Sequence, residues 1–198
     1  MIVRYSLGAR YNKFSMGLHW FMLAMMIAAY ALIEMRELFP KGSDPQETLK
    51  SLHFMVGLMI LFLTSIRLVL RFTTQAPAIH PEPSRWQRLM AQLAHALLYV
   101  LMIGVPLAGW LYLSAAGKPV PFFGFQLASL VGENKELAMS IKELHKSAGT
   151  AGYVLIGLHA AAALFHHYFL KDNTLLRMLP LRNAGSEADL QFSKPSSI

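Results

Sequence analysis

The chain has no cysteine. That excludes a disulfide framework, a Cys-ligated iron–sulfur cluster, a thiolate zinc site and covalent c-type haem attachment, all of which need the residue. Charge is scarce as well. Asp, Glu, Lys and Arg make up 15% of the 198 residues, against roughly 25% in ordinary globular chains. With 55% apolar residues and a mean hydropathy of +0.40, the chain lacks the polar surface that a water-facing domain of this size needs. A formal charge of +7 would suggest nucleic acid or anionic lipid on a soluble chain. Here the basic residues form no nucleic-acid-binding face, and no nucleic acid is expected as a partner.

What is present is a set of long uncharged blocks. Residues 14–33 (20 residues), 51–66 (16), 89–117 (29) and 147–170 (24) carry no Asp, Glu, Lys or Arg. The second block reaches Leu70 if Arg67 snorkels. A bilayer core of about 30 Å takes about 20 helical residues. The blocks are rich in Leu, Met and Ala, which favours helix, and the short alternating segments of a β-barrel are absent. The expected fold is all-α, an integral membrane four-helix bundle with helices over about 12–35, 48–70, 87–114 and 143–170. Pro106, between Gly104 and Gly109, is expected to kink the third helix. The first block exceeds the apolar core of a usual signal peptide and is expected to be retained. The second half of the 118–146 loop is a candidate helix lying on the membrane surface. Residues 1–182 are read as one membrane domain and 183–198 as a disordered tail.

Orientation follows from the basic residues. With the N-terminus inside, 11 Lys and Arg fall on the cytoplasmic side and 7 outside, while 4 acids fall inside and 7 outside, so the whole +7 is cytoplasmic. The positive-inside rule then gives N-in and C-in.

Of eight histidines, His19, His95, His159, His166 and His167 lie within the uncharged blocks, and His53 and His145 lie at block edges. Ionisable side chains in a membrane are costly and usually face a cavity or a function. The run Lys50-Ser51-Leu52-His53, with Gly57 after it, parallels Lys142-Glu143-Leu144-His145, with Gly149 after it. In each, the glycine lies one turn beyond the histidine on the same helix face. The second and fourth helices run in the same direction, so His53 and His145 start at the same depth. A flat macrocycle held by imidazoles needs such an arrangement; close helix packing through small residues is the alternative use of the glycines. His145 and His159 are 14 residues apart, about 40° short of four turns, which puts both on one face roughly 21 Å apart. His19, about two turns into the first helix, lies at a depth comparable to His159. The pairs read from depth and spacing are His53 with His145 and His19 with His159.

Gly17-Leu18-His19-Trp20, Ile27-Ala28-Ala29-Tyr30, Gly157-Leu158-His159-Ala160-Ala161-Ala162-Ala163-Leu164, His166-His167-Tyr168-Phe169 and Lys171-Asp172-Asn173-Thr174-Leu175-Leu176-Arg177-Met178 resemble the bacterial cytochrome b561 family, and within it the superoxide oxidase type. The resemblance covers nearly all of the chain to about Pro180. It implies four helices of the bacterial inner membrane and two b haems ligated by one His on helix one, one on helix two and two on helix four. Those positions match His19, His53, His145 and His159. It further implies oxidation of periplasmic superoxide to oxygen and reduction of ubiquinone to ubiquinol. Two imidazoles per iron leave no open position, which suits outer-sphere electron transfer.

His166, seven residues beyond His159, projects to about 20° off the same face and roughly 10 Å nearer the cytoplasm, where it could contact quinone; an interfacial histidine without a ligand is the other reading. His95 is a candidate quinone or haem contact, or a packing residue. Lys50, Lys142 and Lys146 flank His53 and His145 and could pair with haem propionates or draw in superoxide. Two other functions stand beside the superoxide oxidase reading. One is a cytochrome b subunit passing electrons between quinone and a periplasmic dehydrogenase, which needs a docking partner; the first reading needs no obligate protein partner. The other is a His-lined metal or proton transporter without haem, which predicts a colourless protein.

Overall fold

The computed structural model describes residues 10–180; the tail expected over 183–198 lies outside them. Four long helices dominate: α1 (Lys13–Met35), α2 (Asp44–Thr73), α3 (Arg85–Ala115) and α4 (Lys135–Phe165). All four are long and apolar enough to cross a membrane.

Local chemistry sets their starts. The Asn12 side chain accepts from the Ser15 N–H at the head of α1, and the Asn134 side chain accepts from the Leu137 N–H at the head of α4. Ser84 and Gln87 form a reciprocal capping box before α3. Such caps satisfy N–H groups that a helix leaves unpaired in its first turn. The α2 helix begins with a proline near its first position and with Asp44 and Glu47 in its first turn, both favourable at the positive end of the helix dipole.

The α2 helix runs past its uncharged block at both ends, while α3 begins before its own and ends just inside it. The α4 helix departs more from expectation. It starts at Lys135, so the helix expected on the membrane surface is the first part of α4 itself. It then stops as an α-helix at Phe165, and His166–Leu170 winds as a wider π-turn. Hydropathy could not mark this start, because the first turns of α4 carry charges while still propagating helix from the Asn134 cap. The loop between α3 and α4 holds an antiparallel hairpin, β1 (Val120–Phe122) paired with β2 (Phe125–Leu127). Phe123 and Gly124 both take positive φ, 44° and 87°, as the two central residues of a type I′ turn require.

Sequential helices pack on each other, α1 on α2, α2 on α3 and α3 on α4. The pairs α1/α4 and α2/α4 make little close backbone approach. The buried core is thin, while large side chains such as Phe62, Val69, Val100, Val154 and Leu158 stand on the outer surface. An exposed apolar girdle of this kind suits lipid better than water. A small core cluster of Leu58, Leu113 and Val120 pins the hairpin to α2 and α3.

We call the end where α1 begins and α4 finishes the proximal end, and the opposite one the distal end.

Candidate cofactor and electron-transfer site

Two imidazole couples bridge the helices that do not pack closely. Near the distal end, the His53 ring on α2 faces the His145 ring on α4, with centroids 6.2 Å apart and planes at 79°. Nearer the proximal end, His19 on α1 faces His159 on α4 at 6.4 Å and 74°. An imidazole nitrogen sits about 2 Å from its metal, with the ring centre roughly 1 Å further, so two imidazoles gripping one metal from opposite sides put their centres about 6 Å apart. Both couples have that spacing. Chain segments that stand apart while their imidazoles meet are what a flat ring inserted between helices requires.

The distal couple is held from behind. The His53 Nδ1–H donates to the Ala29 carbonyl at 2.8 Å, and the His145 Nδ1–H donates to the Val105 carbonyl at 2.9 Å. A carbonyl only accepts, so each Nδ1 carries the proton and each Nε2 keeps its lone pair for a metal. Gly109 makes the second bond possible. A Cβ there would stand 3.2 Å from His145 Cε1 and 3.4 Å from Nδ1. His53, His145, Gly57 and Gly109 line one apolar cavity with Pro106, Trp110 and other bundle residues. The small residue beside His145 is therefore Gly109 of α3. Gly149, which the repeated pattern suggested for that role, instead offers its carbonyl to the Tyr30 hydroxyl at 2.8 Å. Tyr30 also packs on Tyr153 with ring centres 4.1 Å apart, and the Tyr153 hydroxyl donates to Glu34 at 2.8 Å. Together these contacts tie α1 to α4 in the distal half.

The proximal level has three imidazoles. His95 lies 5.4 Å from His159, closer than opposed ligands would stand, and its Nδ1–H donates back to the Ala91 carbonyl of its own helix at 2.6 Å. Arg67 lies within electrostatic reach of His19, His159 and His95, and its guanidinium donates to the Ser15 carbonyl at 3.4 Å.

His166 has a partner that spacing did not reveal. The helix widens only after it, since its N–H still bonds to the Ala162 carbonyl in the α-helical manner. Its Nδ1 lies 2.5 Å from the Asp172 carboxylate. In the sequence Asp172 stands only within the run that carries the family resemblance, and its contact with His166 depends on a chain reversal that spacing does not reveal. The flanking lysines are also less free than sequence proximity suggests. Lys50 pairs with Glu47 at 2.7 Å and donates to Gln46 at 3.0 Å, and Lys146 pairs with Glu143 at 3.6 Å. Lys142 is exposed. Among the described residues, no group of three or more His, Asp or Glu side chains converges as a ligand set for a free metal ion.

An apolar four-helix bundle bridged by facing imidazoles has the architecture of a membrane-embedded b-type cytochrome. Comparison with known proteins defines the particular family. The family model for prokaryotic cytochrome b561 matches residues 10–181. The chain is 39% identical over 173 residues to cytochrome b561 homolog 1 of Escherichia coli K12, covering 87% of this chain and 98% of that protein. It is 37% identical over 171 residues to a protein of Yersinia pestis named probable superoxide oxidase CybB, covering 86% and 96%. It is 30% identical over 173 residues to cytochrome b562 of Cereibacter sphaeroides, covering 85% and 94%. The chain belongs to the prokaryotic cytochrome b561 family. It is accordingly a multi-pass inner-membrane protein of a transmembrane electron-transfer family that uses b-type haem.

Proposed function

We propose that the chain holds two b haems, one between His53 and His145 and one between His19 and His159, and carries electrons singly from periplasmic superoxide to ubiquinone. The observation that carries this reading is the pair of imidazole couples, each at the spacing of opposed ligands and set at two depths of an apolar bundle. A relative named probable superoxide oxidase over nearly the same length supports the choice of donor. In this proposal residues 1–182 form the membrane domain, oriented N-in and C-in by the excess of cytoplasmic Lys and Arg, so the proximal end is cytoplasmic and the distal end periplasmic.

Held by His53 with His145 and by His19 with His159, b haems would supply one-electron carriers suited to outer-sphere transfer. The residues supply the rest. Ala29 and Val105 carbonyls keep the His53 and His145 tautomers ready to ligate. Gly57 and Gly109 keep side chains out of the adjoining cavity. Lys142, exposed beside His145, offers positive potential to a small anion on the periplasmic side. At the cytoplasmic end His166 is the residue proposed to hydrogen-bond a quinone oxygen.

The decisive measurement is haem-to-protein stoichiometry on the purified chain, followed by superoxide addition with and without ubiquinone. We expect about two b haems per chain with bis-imidazole spectra, and oxygen release from superoxide that persists only while quinone is supplied. A colourless chain would overturn the haem assignment. A haem-loaded chain inert to superoxide but reduced by a soluble dehydrogenase would replace the donor.

A further inference from the structure

We propose that Asp172 is the positioning residue of a proton path, holding His166 so that its Nε2 delivers a proton to one oxygen of the bound quinone; this rests on the quinone-reducing function proposed above.

The chain builds the His166–Asp172 contact deliberately. After Phe165 the helix widens over His166–Leu170, and Lys171 takes a left-handed conformation with φ 54°. That reversal is uncommon for a residue with a Cβ. It brings Asp172 back beneath His166, with the Asp172 N–H donating to the His166 carbonyl at 3.2 Å. Both carboxylate oxygens are then used. One accepts from His166 Nδ1 at 2.5 Å and the other from the Thr174 N–H at 2.9 Å. Asp172 is only 3% exposed, while the His166 ring remains half-buried.

The segment that carries Asp172 is fastened on three sides. Asn173 exchanges two hydrogen bonds with His80, at 3.1 and 2.9 Å. The Arg177 guanidinium donates to the Pro77 carbonyl and lies over the Tyr11 ring. The Trp20 indole, next to His19, donates to the Met178 carbonyl at 2.7 Å. A surface turn with no role would not need such anchoring.

Burial pushes the Asp172 carboxyl up, but the hydrogen bonds from His166 and Thr174 outweigh it and hold it below the ordinary carboxylate range. An ionised carboxylate only accepts, so Asp172 fixes the proton on His166 Nδ1 and leaves Nε2 as the nitrogen that exchanges a proton. A buried carboxylate behind a catalytic histidine acts in this way without changing its own protonation.

Reduction of one quinone consumes two electrons and two protons. Two superoxide ions each lose one electron and become oxygen. One proton comes through His166: its Nε2–H bond breaks as an O–H bond forms on the near oxygen of the reduced quinone, and Nε2 is reprotonated from cytoplasmic water, while the second proton reaches the far oxygen from water.

The test compares variants of the full haem-loaded chain using a short-tailed ubiquinone analogue. Asp172→Asn should lower kcat for quinone by about 10- to 100-fold and leave its KM within about twofold, the span of lost general acid–base assistance. Reduction of the chain's haem by superoxide should be unchanged, and the solvent deuterium isotope effect on quinol formation should rise. Asp172→Glu should recover part of the rate. Asn173→Ala, which loosens the same segment without touching the carboxylate, should cost less than about threefold and leave the isotope effect as in the parent. The proposal is overturned if Asp172→Asn turns over within about twofold of the parent, or if Asn173→Ala matches its loss. A parent chain that reduces no quinone would remove both this role and the function on which it rests; an active parent with an unaffected Asp172→Asn removes this role alone.

Discussion

The distal and proximal levels of the bundle present the same motif, a facing pair of imidazoles, in different surroundings. His53 and His145 are each tied through Nδ1 to a backbone carbonyl of a neighbouring helix, and Gly109 leaves room for the second tie. Around His19 and His159 there is a third imidazole, His95, and an arginine within electrostatic reach. Just beyond lies a fastened chain reversal that holds a buried carboxylate against His166. One level is organised to hold its rings still; the other collects groups that can exchange protons and bind a polar ligand. An electron route with a simple one-electron donor at one end and a two-electron, two-proton acceptor at the other would need this division.

The largest expected effect comes from removing a ring. His145→Ala should abolish the distal centre and stop electron passage from superoxide to quinone, while the purified chain keeps about half its haem. His19→Ala should do the reverse, losing the proximal haem and keeping the distal one. Pigment content and the spectrum of the remaining centre check both. Loss of both haems from either variant would show that the levels do not assemble independently, and the comparison would then lose its meaning.

How much of this was legible beforehand differs between the levels for physical reasons. Four spans follow from hydropathy because uncharged blocks of bilayer length have few other uses. The four histidines follow from depth and helical spacing, since His145 and His159 fall on one face whatever their partners do. The carbonyls that orient His53 and His145 could not be read, because every residue has a carbonyl and only packing decides which is reachable. Gly109 was visible only as a neighbour of Pro106. Asp172 escaped for another reason. The helix widens beyond His166, and no spacing rule anticipates the reversal at Lys171 that returns Asp172 to it. The pairing of Lys50 with Glu47 was closer to hand, since residues three apart on a helix are neighbours.

Gly109 tests whether the stillness of the distal level depends on its ties. Gly109→Val places side-chain carbon where His145 reaches for Val105, and the ring must rotate or withdraw. Loss of an outer hydrogen bond to a ligating histidine typically costs 10- to 100-fold in affinity, so distal haem should dissociate about that much more readily. Gly109→Ala adds only a Cβ at 3.2 Å from Cε1, a displacement of a few tenths of an ångström, and should show a much smaller loss. Titration of apoprotein with haem separates the two. Equal affinity in parent and valine variant would mean that the His145 tie contributes nothing to binding.

The smallest effect is expected from the lysines. Lys50 and Lys146 each stand beside a carboxylate on the same helix, so their fields at a distance largely cancel, and exposed charges are screened beyond about 8 Å at physiological salt. Lys142 is the better candidate for drawing in an anion. Lys142→Gln should slow the reaction with superoxide by about twofold at low salt, with the difference vanishing as ionic strength rises. Lys50→Gln should do less through attraction, but it releases Glu47 and so adds a repulsive charge near His53. Restoring neutrality with Lys50→Gln/Glu47→Gln separates these effects. If the double variant matches the parent while Lys142→Gln remains slow, approach of the anion is governed by α4. If all three behave as the parent does, charge at the distal surface has no part in selecting the donor, and selection must come from the distal centre itself.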